Sequence, residues 1–508
     1  MPLVRTAQTE SGVVRGLPAA DPRITSYKGI PYAAPPIGEN RWRAPRPHAH
    51  WEGEFKAYEF SAMAPQAVTG KNKDNLYSRE WWVDDDPAME EDCLTLNVWA
   101  PAEGKTGLPV FVWYFGGGLQ VGATGEMEFD GERIARRGAV VVTVNYRLNV
   151  FGFLAHPQLT AENPESPTNF GFLDQQFATQ WVKRNAAAFG GDPENITLGG
   201  QSAGGMSVSA QIAHRENAGL FQRAVIISGL FAPVYPEMFG LCVPLREAEK
   251  RGDRFFREAL GVSTLAEARR LPWRVILDAA LSWKDAGLWP ASVDGAFLRY
   301  VPDRWYFHGD RVHCPVMMGS TADEFRLSPK AEDAETLRAY ADGIPGLDRE
   351  RFLTSFTVPA TKESIRREGD VNAIAFAVRA AAMKARETIY AYEFSAGIPG
   401  WDRPGAFHSV DLWFFFETLA KCWRPFTGKH YDLARQMCDC LCNFIRSGDP
   451  NGVGTDGSRL PYWPALDPHE PVFMSFGETA KPVHNLAGPV ETLLLDAWIA
   501  RGGSDEHV

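Results

Sequence analysis

The sequence predicts an α/β fold, in which a mostly parallel central sheet carries helices on both faces. Three observations support this prediction. Residues 109–115 and 139–146 are apolar almost throughout, which is typical of strands buried on both faces. Residues 170–189 show helical periodicity, and a glycine pair follows them as a stop signal. Strands that alternate with helices pair in parallel, because each crossover connection lays a helix against the sheet.

Other predicted strands continue this alternation. They cover residues 11–17, 24–32, 94–99, 194–198, 224–228, 315–320 and 388–394. We expect the first two to form an N-terminal antiparallel flap. Two helix-rich stretches, 231–311 and 328–385, interrupt the pattern and are predicted to be insertions over the carboxyl-terminal edge of the sheet. The prediction is therefore one catalytic domain, residues 1–508, with two helical insertions.

The bulk composition is typical of a globular enzyme and argues against several kinds of partner. Of the 508 residues 45% are hydrophobic and 23% charged, and the net charge of −11 disfavours nucleic acid. No apolar run approaches the roughly 18 residues of a membrane span, and the first residues lack a signal-peptide pattern. Seven cysteines, an odd number without a regular framework, favour reduced thiols in a cytoplasm.

The sequence Gly200-x-Ser202-x-Gly204 stands between a predicted strand and a predicted helix at 206–214. In such a nucleophile elbow the serine occupies a strained turn, so that its hydroxyl projects from the sheet. The following helix points its positive end and free N–H groups at the same place. A glycine-rich turn without catalytic function is the simpler interpretation, and only partners for Ser202 would displace it.

A serine hydroxyl needs a base, and the base needs a carboxylate. His408 lies in a loop after a predicted core strand and before a strongly aromatic run, which is where a loop-borne base is expected. His214 sits on the helix after the serine and is expected at the surface. Asp323 and Glu324 both follow the strand at 315–320, and their spacing does not separate them.

The negative oxygen of an acyl-transfer intermediate needs backbone N–H donors. Residues 116–118 are three glycines at the end of a fully apolar strand. Without Cβ atoms, this backbone can approach a carbonyl oxygen closely. The amide of Ala203, directly after Ser202, is a further candidate donor.

With these motifs in place, the chain resembles the type-B carboxylesterase (cholinesterase-like) family of α/β-hydrolases, and most of all its bacterial para-nitrobenzyl-esterase branch. The resemblance runs along nearly the whole chain. It rests on YKGIPYAAPP at 27–36, EDCLTLN at 91–97, NYR at 145–147, FGFL at 151–154, LDQQ at 173–176, FGGDP at 189–193 and SG at 228–229.

The resemblance implies a role for each motif residue. The family's nucleophile falls on Ser202, its acid on Glu324 and its base on His408. Its oxyanion amides are those of Gly117, Gly118 and Ala203. We also predict that Gln201 and Ser228 support this site. The residues predicted to line a substrate pocket are Phe115, Trp82, Phe231 and Trp413.

Three positions depart from the family pattern. Gln201 replaces the usual glutamate before the nucleophile, so a negative charge beside the imidazole is missing, and we expect a preference for neutral over choline-type esters. Phe115 stands where histidine or tyrosine is common. Secreted relatives pair the cysteine matching Cys93 with one near Ala64, but this chain has no cysteine there, which agrees with a cytoplasmic protein.

The sequence thus predicts a serine carboxylesterase that hydrolyses neutral esters through an acyl-enzyme. The expected partner is a small-molecule ester, with no metal, cofactor, nucleic acid or membrane, and the protein is expected to be a monomer. One alternative is a catalytically inactive, cholinesterase-like binding module, against which the complete set of motif residues argues. Another is a lipase acting at lipid interfaces, which the lack of a strongly apolar amphipathic helix in the insertions disfavours.

Overall fold

The computed structural model describes residues 3–68, 74–81, 88–235, 242–484 and 487–502. These residues are organised around a large mixed β-sheet with helices packed on it. Among the helices in these ranges, none combines the length and the apolar character that crossing a membrane requires.

Strands and helices are numbered here in chain order. The strands are β1 (Thr6–Thr9), β2 (Gly12–Arg15), β3 (Leu17–Pro18), β4 (Ile24–Pro31), β5 (Glu54–Lys56), β6 (Thr95–Pro101), β7 (Leu108–Tyr114), β8 (Val140–Val144), β9 (Gly191–Gln201), β10 (Arg223–Ile227), β11 (Cys242–Pro244), β12 (Ala291–Val293), β13 (Val316–Thr321), β14 (Arg326–Leu327), β15 (Val371–Asn372), β16 (Ile389–Phe394), β17 (Val472–Phe476) and β18 (Ala480–His484). The α-helices are α1 (Leu76–Trp81), α2 (Glu132–Ala135), α3 (Asn149–Phe153), α4 (Pro157–Glu162), α5 (Phe170–Asn185), α6 (Ala203–Ala213), α7 (Leu245–Phe255), α8 (Leu265–Arg270), α9 (Trp273–Ser282), α10 (Ala334–Asp342), α11 (Arg349–Thr354), α12 (Lys362–Glu368), α13 (Ala373–Lys384), α14 (Leu412–Phe415), α15 (Gly428–Ser447) and α16 (Pro489–Ala500).

The large sheet has the strand order β18-β17-β16-β13-β10-β9-β7-β8-β6-β4-β3. Neighbouring strands from β17 to β8 in this order run parallel. The strands at the two edges run antiparallel to their neighbours. This arrangement confirms the predicted α/β fold with a mostly parallel central sheet.

The centre of the sheet follows directly from its sequence. Every residue of β8 is buried, and so is β7 after its first residue, because helices cover both faces of these apolar strands. The predicted helix at 170–189 is α-helical over α5 and ends as a 3-10 turn. The chain then turns at Gly190, whose φ of 84° lies in the left-handed region.

Some predicted elements lie elsewhere in the fold. In the N-terminal segment β2 pairs with β1, but β4 joins the large sheet beside β6, so the predicted flap is only partly separate. In the stretch 328–385, α13 packs against β13 and β16 and therefore covers the sheet itself. The chain leaves β7, β9 and β13 at one edge of the sheet, and this edge carries the predicted site residues.

Candidate active site

The serine turn lies between β9 and α6. Ser202 has φ 54° and ψ −125°, a conformation that costs a non-glycine residue energy and persists only where the surroundings hold it. Its backbone N–H donates to the carbonyl of Ile227 on the neighbouring strand, at 2.9 Å. The helix begins at Ala203, so its N-terminus directly follows the serine.

The glycines of this turn are required by close packing. A Cβ added at Gly200 would lie 2.2 Å from the carbonyl oxygen of Gly204, and one at Gly204 would lie 2.1 Å from that of Tyr114. Both contacts are with backbone atoms that side-chain motion cannot relieve. The sequence pattern around Ser202 thus reflects the space available between strand and helix.

His408 and Glu324 lie together at the carboxyl-terminal edge of the sheet. Nδ1 of His408 is 2.6 Å from Oε2 of Glu324, and the backbone N–H of Thr321 donates to Oε1 at 3.1 Å. The Glu324 side chain is fully buried. Burial raises the pKa of this carboxyl, but the His408 contact, the nearby Ser228 hydroxyl and the Thr321 amide together hold it below its ordinary value. Glu324 is therefore ionised at neutral pH.

Asp323 points to a different partner. Its Oδ2 accepts a hydrogen bond from the Ala406 amide at 2.7 Å, and its own amide donates to the Ala406 carbonyl at 3.1 Å. It thereby ties the loop after β13 to the loop that carries His408. Their different partners distinguish Glu324 from Asp323, whereas their spacing in the sequence does not.

The other ring nitrogen of His408 faces Gln201. Nε2 of the imidazole is 3.1 Å from the amide nitrogen of Gln201, which also donates to Oγ of Ser409 at 2.6 Å. Among the described residues, the Ser202 hydroxyl makes no hydrogen bond to His408. Nε2 of His408 is held by Gln201, while Ser202 and His408 line the same cavity.

The glycine triplet borders that cavity as well. Gly117 and Gly118 have φ angles of 101° and 65°, which glycine adopts without strain. A Cβ at Gly117 would lie 2.0 Å from the Val121 carbonyl oxygen. Within the described residues the two amides donate no hydrogen bond to the protein. Together with Ala203, they line the cavity beside Ser202.

The cavity has a volume of about 550 Å³, a size typical of small-molecule sites. Of the predicted lining residues, Phe231 lines it, and Trp82 lies outside the described residues. Phe115 and Trp413 are not among the residues that line it. Phe115 is stacked on Tyr146 with ring centroids 4.5 Å apart, and Trp413 is fully buried with its indole N–H donating to Glu80.

Helix α1 supplies aromatic lining from a stretch that resembles a polar loop in sequence. Tyr77 and Trp81 stack on each other at 5.3 Å, and both meet the Phe407 ring at 6.2 Å. Glu80 anchors this helix, because the single Nε–H of Arg424 is shared between the two oxygens of its buried carboxylate, at 3.0 and 2.9 Å. An ion pair therefore holds Tyr77 and Trp81 against Phe407, the residue before His408.

The sequence analysis does not predict the surroundings of two further residues. His214 is not a surface residue, because its ring stacks on Phe297 at 4.3 Å and only 13% of its side chain is exposed. Asp411, three positions after His408, is fully buried and accepts a hydrogen bond from the Tyr392 hydroxyl at 2.8 Å. Burial raises its pKa to about 7. No motif in the sequence marks this carboxyl.

The sheet order and the serine turn at its carboxyl edge define an α/β-hydrolase. The family model described as the carboxylesterase family matches residues 3–342 and 357–489, so this chain belongs to the carboxylesterase family. The protein is a serine carboxylic-ester hydrolase.

Individual relatives are similar over nearly their whole length. The para-nitrobenzyl esterase of Bacillus subtilis (strain 168) is 30% identical over 479 residues, which cover 90% of this chain and 91% of the relative. The fumonisin B1 esterase of Sphingopyxis macrogoltabida is 30% identical, covering 92% and 86% respectively. A solved PNB esterase structure superimposes with a TM-score of 0.79 at 28% identity, covering 96% of this chain and 99% of that one.

Proposed function

We propose that Ser202 is the nucleophile of this esterase, His408 its general base and Glu324 the carboxylate that orients the base. The 2.6 Å contact between Nδ1 of His408 and Oε2 of Glu324 carries this proposal. This contact keeps a proton on Nδ1, so Nε2, which now accepts from the Gln201 N–H, is the nitrogen that can take the serine proton. Ser202 stands on a strained turn in the same cavity, as a nucleophile of this fold requires.

The amides of Gly117, Gly118 and Ala203 are proposed to bind the oxyanion. The two glycine amides have no acceptor among the described residues, and an N–H without a partner next to a nucleophile is suited to a charge that develops during reaction. Ala203 adds the positive end of α6. Removing one such donor typically costs about 10²-fold to 10³-fold in kcat.

The reaction then runs in two halves. His408 takes the proton of Ser202 as the hydroxyl oxygen attacks the ester carbonyl, and it returns that proton to the departing alcohol. Water, deprotonated by the same imidazole, attacks the acyl-enzyme and releases the acid. Ionised Glu324 stabilises the imidazolium in both halves, and the nearby Ser228 hydroxyl helps to lower the pKa of Glu324.

Gln201 modulates the base in this scheme. Its N–H group lies at the nitrogen that must accept the serine proton, so it favours the neutral imidazole. A rotation of the amide would present its oxygen instead, which is the acceptor that an imidazolium needs. Because either orientation is uncharged, Gln201 adds no attraction for a fixed cation at the reaction centre. This supports a preference for neutral over quaternary esters there.

The substrates proposed are small carboxylic esters. The cavity volume and its aromatic lining, from Tyr77, Trp81 and Phe231, suit a compact ester with an apolar acyl or alcohol part. We further propose a cytoplasmic, monomeric enzyme with a single catalytic domain. All seven cysteines are unpaired, which supports a reducing compartment.

The test is hydrolysis of p-nitrophenyl acetate by the wild type and by Ser202→Ala. We expect a loss of about 10³-fold or more in kcat, because removing a triad member leaves only binding and oxyanion stabilisation. The alanine fits the turn, so the circular dichroism spectrum and the thermal midpoint should match the wild type. Hydrolysis near the wild-type rate by a folded variant would overturn the assignment.

A further inference from the structure

A short segment of the cavity wall carries two carboxyl groups. Glu126 and Glu128 flank the start of a 3-10 turn at Met127–Phe129, and both line the cavity that also holds Ser202 and His408. Glu128 is only 2% exposed. Acidic side chains are rarely buried to this extent unless something pairs with them.

The protein supplies few partners for this pair. Oε1 of Glu126 accepts a hydrogen bond from the Ala123 amide at 2.7 Å. Oε2 of Glu128 is buried and has no hydrogen-bond partner among the described residues. Over the same residues, neither carboxyl forms a salt bridge, since Lys421 pairs with Asp130 at 2.7 Å and Arg424 with Glu80 at 2.9 Å.

The surroundings raise the pKa of both carboxyl groups. Burial raises the pKa of Glu126, and burial together with the charge of Glu126 raises that of Glu128 well above its ordinary value. The other titratable groups near the pair are Glu80, Tyr77, Tyr146, His408 and, on the 3-10 turn Leu419–Lys421 that packs against the segment, Lys421. The neighbouring helix α14 contributes only apolar side chains.

We propose that Glu126 and Glu128 form a binding subsite for a protonated primary or secondary amine carried by the ester substrate. The inference rests on the proposed function, because subsite and nucleophile share one cavity. An ammonium group supplies the two things that the pair lacks, a positive charge and N–H donors for Oε2 of Glu128. Trp113, Phe129 and Leu412 line the same cavity and provide an apolar path for the carbon chain.

The chemistry of this subsite distinguishes between cations. A quaternary ammonium has charge but no N–H, so it cannot satisfy the buried carboxyl oxygen. Gln201 gives it no charge to bind at the reaction centre either. While the pair holds one proton it carries a single negative charge, and a bound ammonium brings the net charge of the subsite to zero. Once that proton is lost, the pair carries two negative charges and attracts the ammonium more strongly. The preference for an amine should therefore increase as the pH rises and the pair loses this proton.

The test compares three p-nitrophenyl esters that share a leaving group and match in acyl length. One acyl chain ends in a primary amine, one in a trimethylammonium group and one in a neutral alkyl group. We expect the wild type to favour the amine over the neutral ester in kcat/KM, and Glu128→Gln to lower this ratio by about tenfold or more, as for loss of a charged hydrogen bond. The trimethylammonium ester should show no such preference.

Asp130→Asn is the matched control, since it removes one carboxylate from the same segment at a residue that pairs with Lys421. This variant should leave unchanged the ratio of kcat/KM for the amine ester to kcat/KM for the neutral ester. If Glu128→Gln does not fold, Glu126→Gln and the rise of the wild-type ratio between acidic and neutral pH take its place. An unchanged ratio in the glutamine variant, or an equal gain for the trimethylammonium ester, would overturn the subsite. Failure of the proposed function would instead show as Ser202→Ala hydrolysing the neutral ester.

Discussion

Two parts of the same cavity change the pKa of a buried carboxyl group in opposite directions. The pKa of Glu324, beside His408, is lowered, and the pKa values of Glu126 and Glu128 are raised. Glu324 receives hydrogen bonds from His408 at 2.6 Å and from the Thr321 amide at 3.1 Å, and its pKa is lowered. Glu128 is equally buried, but its Oε2 has no donor in the described part of the chain, and its pKa is raised well above the ordinary value. Hydrogen-bond donors, more than burial, therefore decide whether a buried carboxyl group carries charge.

Asp411 stands between these two cases. One of its carboxyl oxygens accepts from the Tyr392 hydroxyl at 2.8 Å, while the other has no partner among the described residues. Its pKa is raised to about 7. The three carboxyls therefore rank by the number and charge of their donors. Substitutions at these three residues test this ranking, and a substitution at Gln201 tests the effect of a new charge beside His408.

The largest difference is expected between Glu324→Gln and Asp323→Asn. The glutamine cannot stabilise the imidazolium of His408, so kcat should fall by about 10³-fold or more. In Asp323→Asn the side-chain oxygen of the asparagine can still accept from the Ala406 amide, so kcat should change little. Steady-state kinetics on p-nitrophenyl acetate measure both. Equal losses, or the reverse order, would show that the acid is misassigned.

Asp411→Asn should change how stability depends on pH. A folded-state pKa of about 7, against about 3.9 in the unfolded chain, means that the folded protein holds an extra proton between these values. The wild type therefore loses stability from this group as the pH rises from about 4 through 7. The asparagine variant lacks this loss. Its free energy of unfolding should therefore rise relative to that of the wild type as the pH rises.

Urea unfolding midpoints at several pH values from about 5 to 8 measure this effect. Asp130→Asn is again the control, because its carboxylate is paired with Lys421 near the surface. A difference between Asp411→Asn and wild type that does not vary with pH would contradict a raised pKa for Asp411.

The smallest effect is expected for Gln201→Glu, which places a carboxylate beside His408. The new charge favours the imidazolium of His408, so the acidic limb of the kcat/KM–pH profile should move to higher pH. Activity on a quaternary ester should rise relative to its neutral analogue. If neither changes, Gln201 only maintains a hydrogen bond, and the expected preference for neutral esters loses its basis.

Features that depend on neighbouring residues in the chain can be predicted from the sequence, whereas features that depend on packing between distant segments cannot. The serine turn and the glycine triplet are local patterns, and the structure brings them together with His408 as the chain order implies. Asp323 and Glu324 share one loop, so only packing against the His408 loop distinguishes them. The sequence-based prediction places Phe115 and Trp413 in the cavity. Their real contacts, Tyr146 and Glu80, lie 31 and 333 residues away along the chain.

Glu126 and Glu128 show the same limitation of sequence-based prediction, because only packing with distant segments places them at the cavity. In the sequence Glu126 and Glu128 resemble an exposed polar turn between glycines. They are brought to the cavity by packing against α14 and the 3-10 turn at Leu419–Lys421, which lie far along the chain. A charge in a loop therefore says little about substrate preference until its surroundings are known.

Covalent labelling tests the identity of the nucleophile most directly. The wild type is treated with a fluorophosphonate, which reacts with an activated serine hydroxyl, and the modified peptide is identified by mass spectrometry. The account predicts one adduct, on Ser202, with loss of esterase activity in step with labelling. Ser202→Ala should remain unlabelled, and Glu324→Gln should label much more slowly than Asp323→Asn. An adduct on another serine, or full labelling of the Ser202→Ala variant, would contradict the assignment.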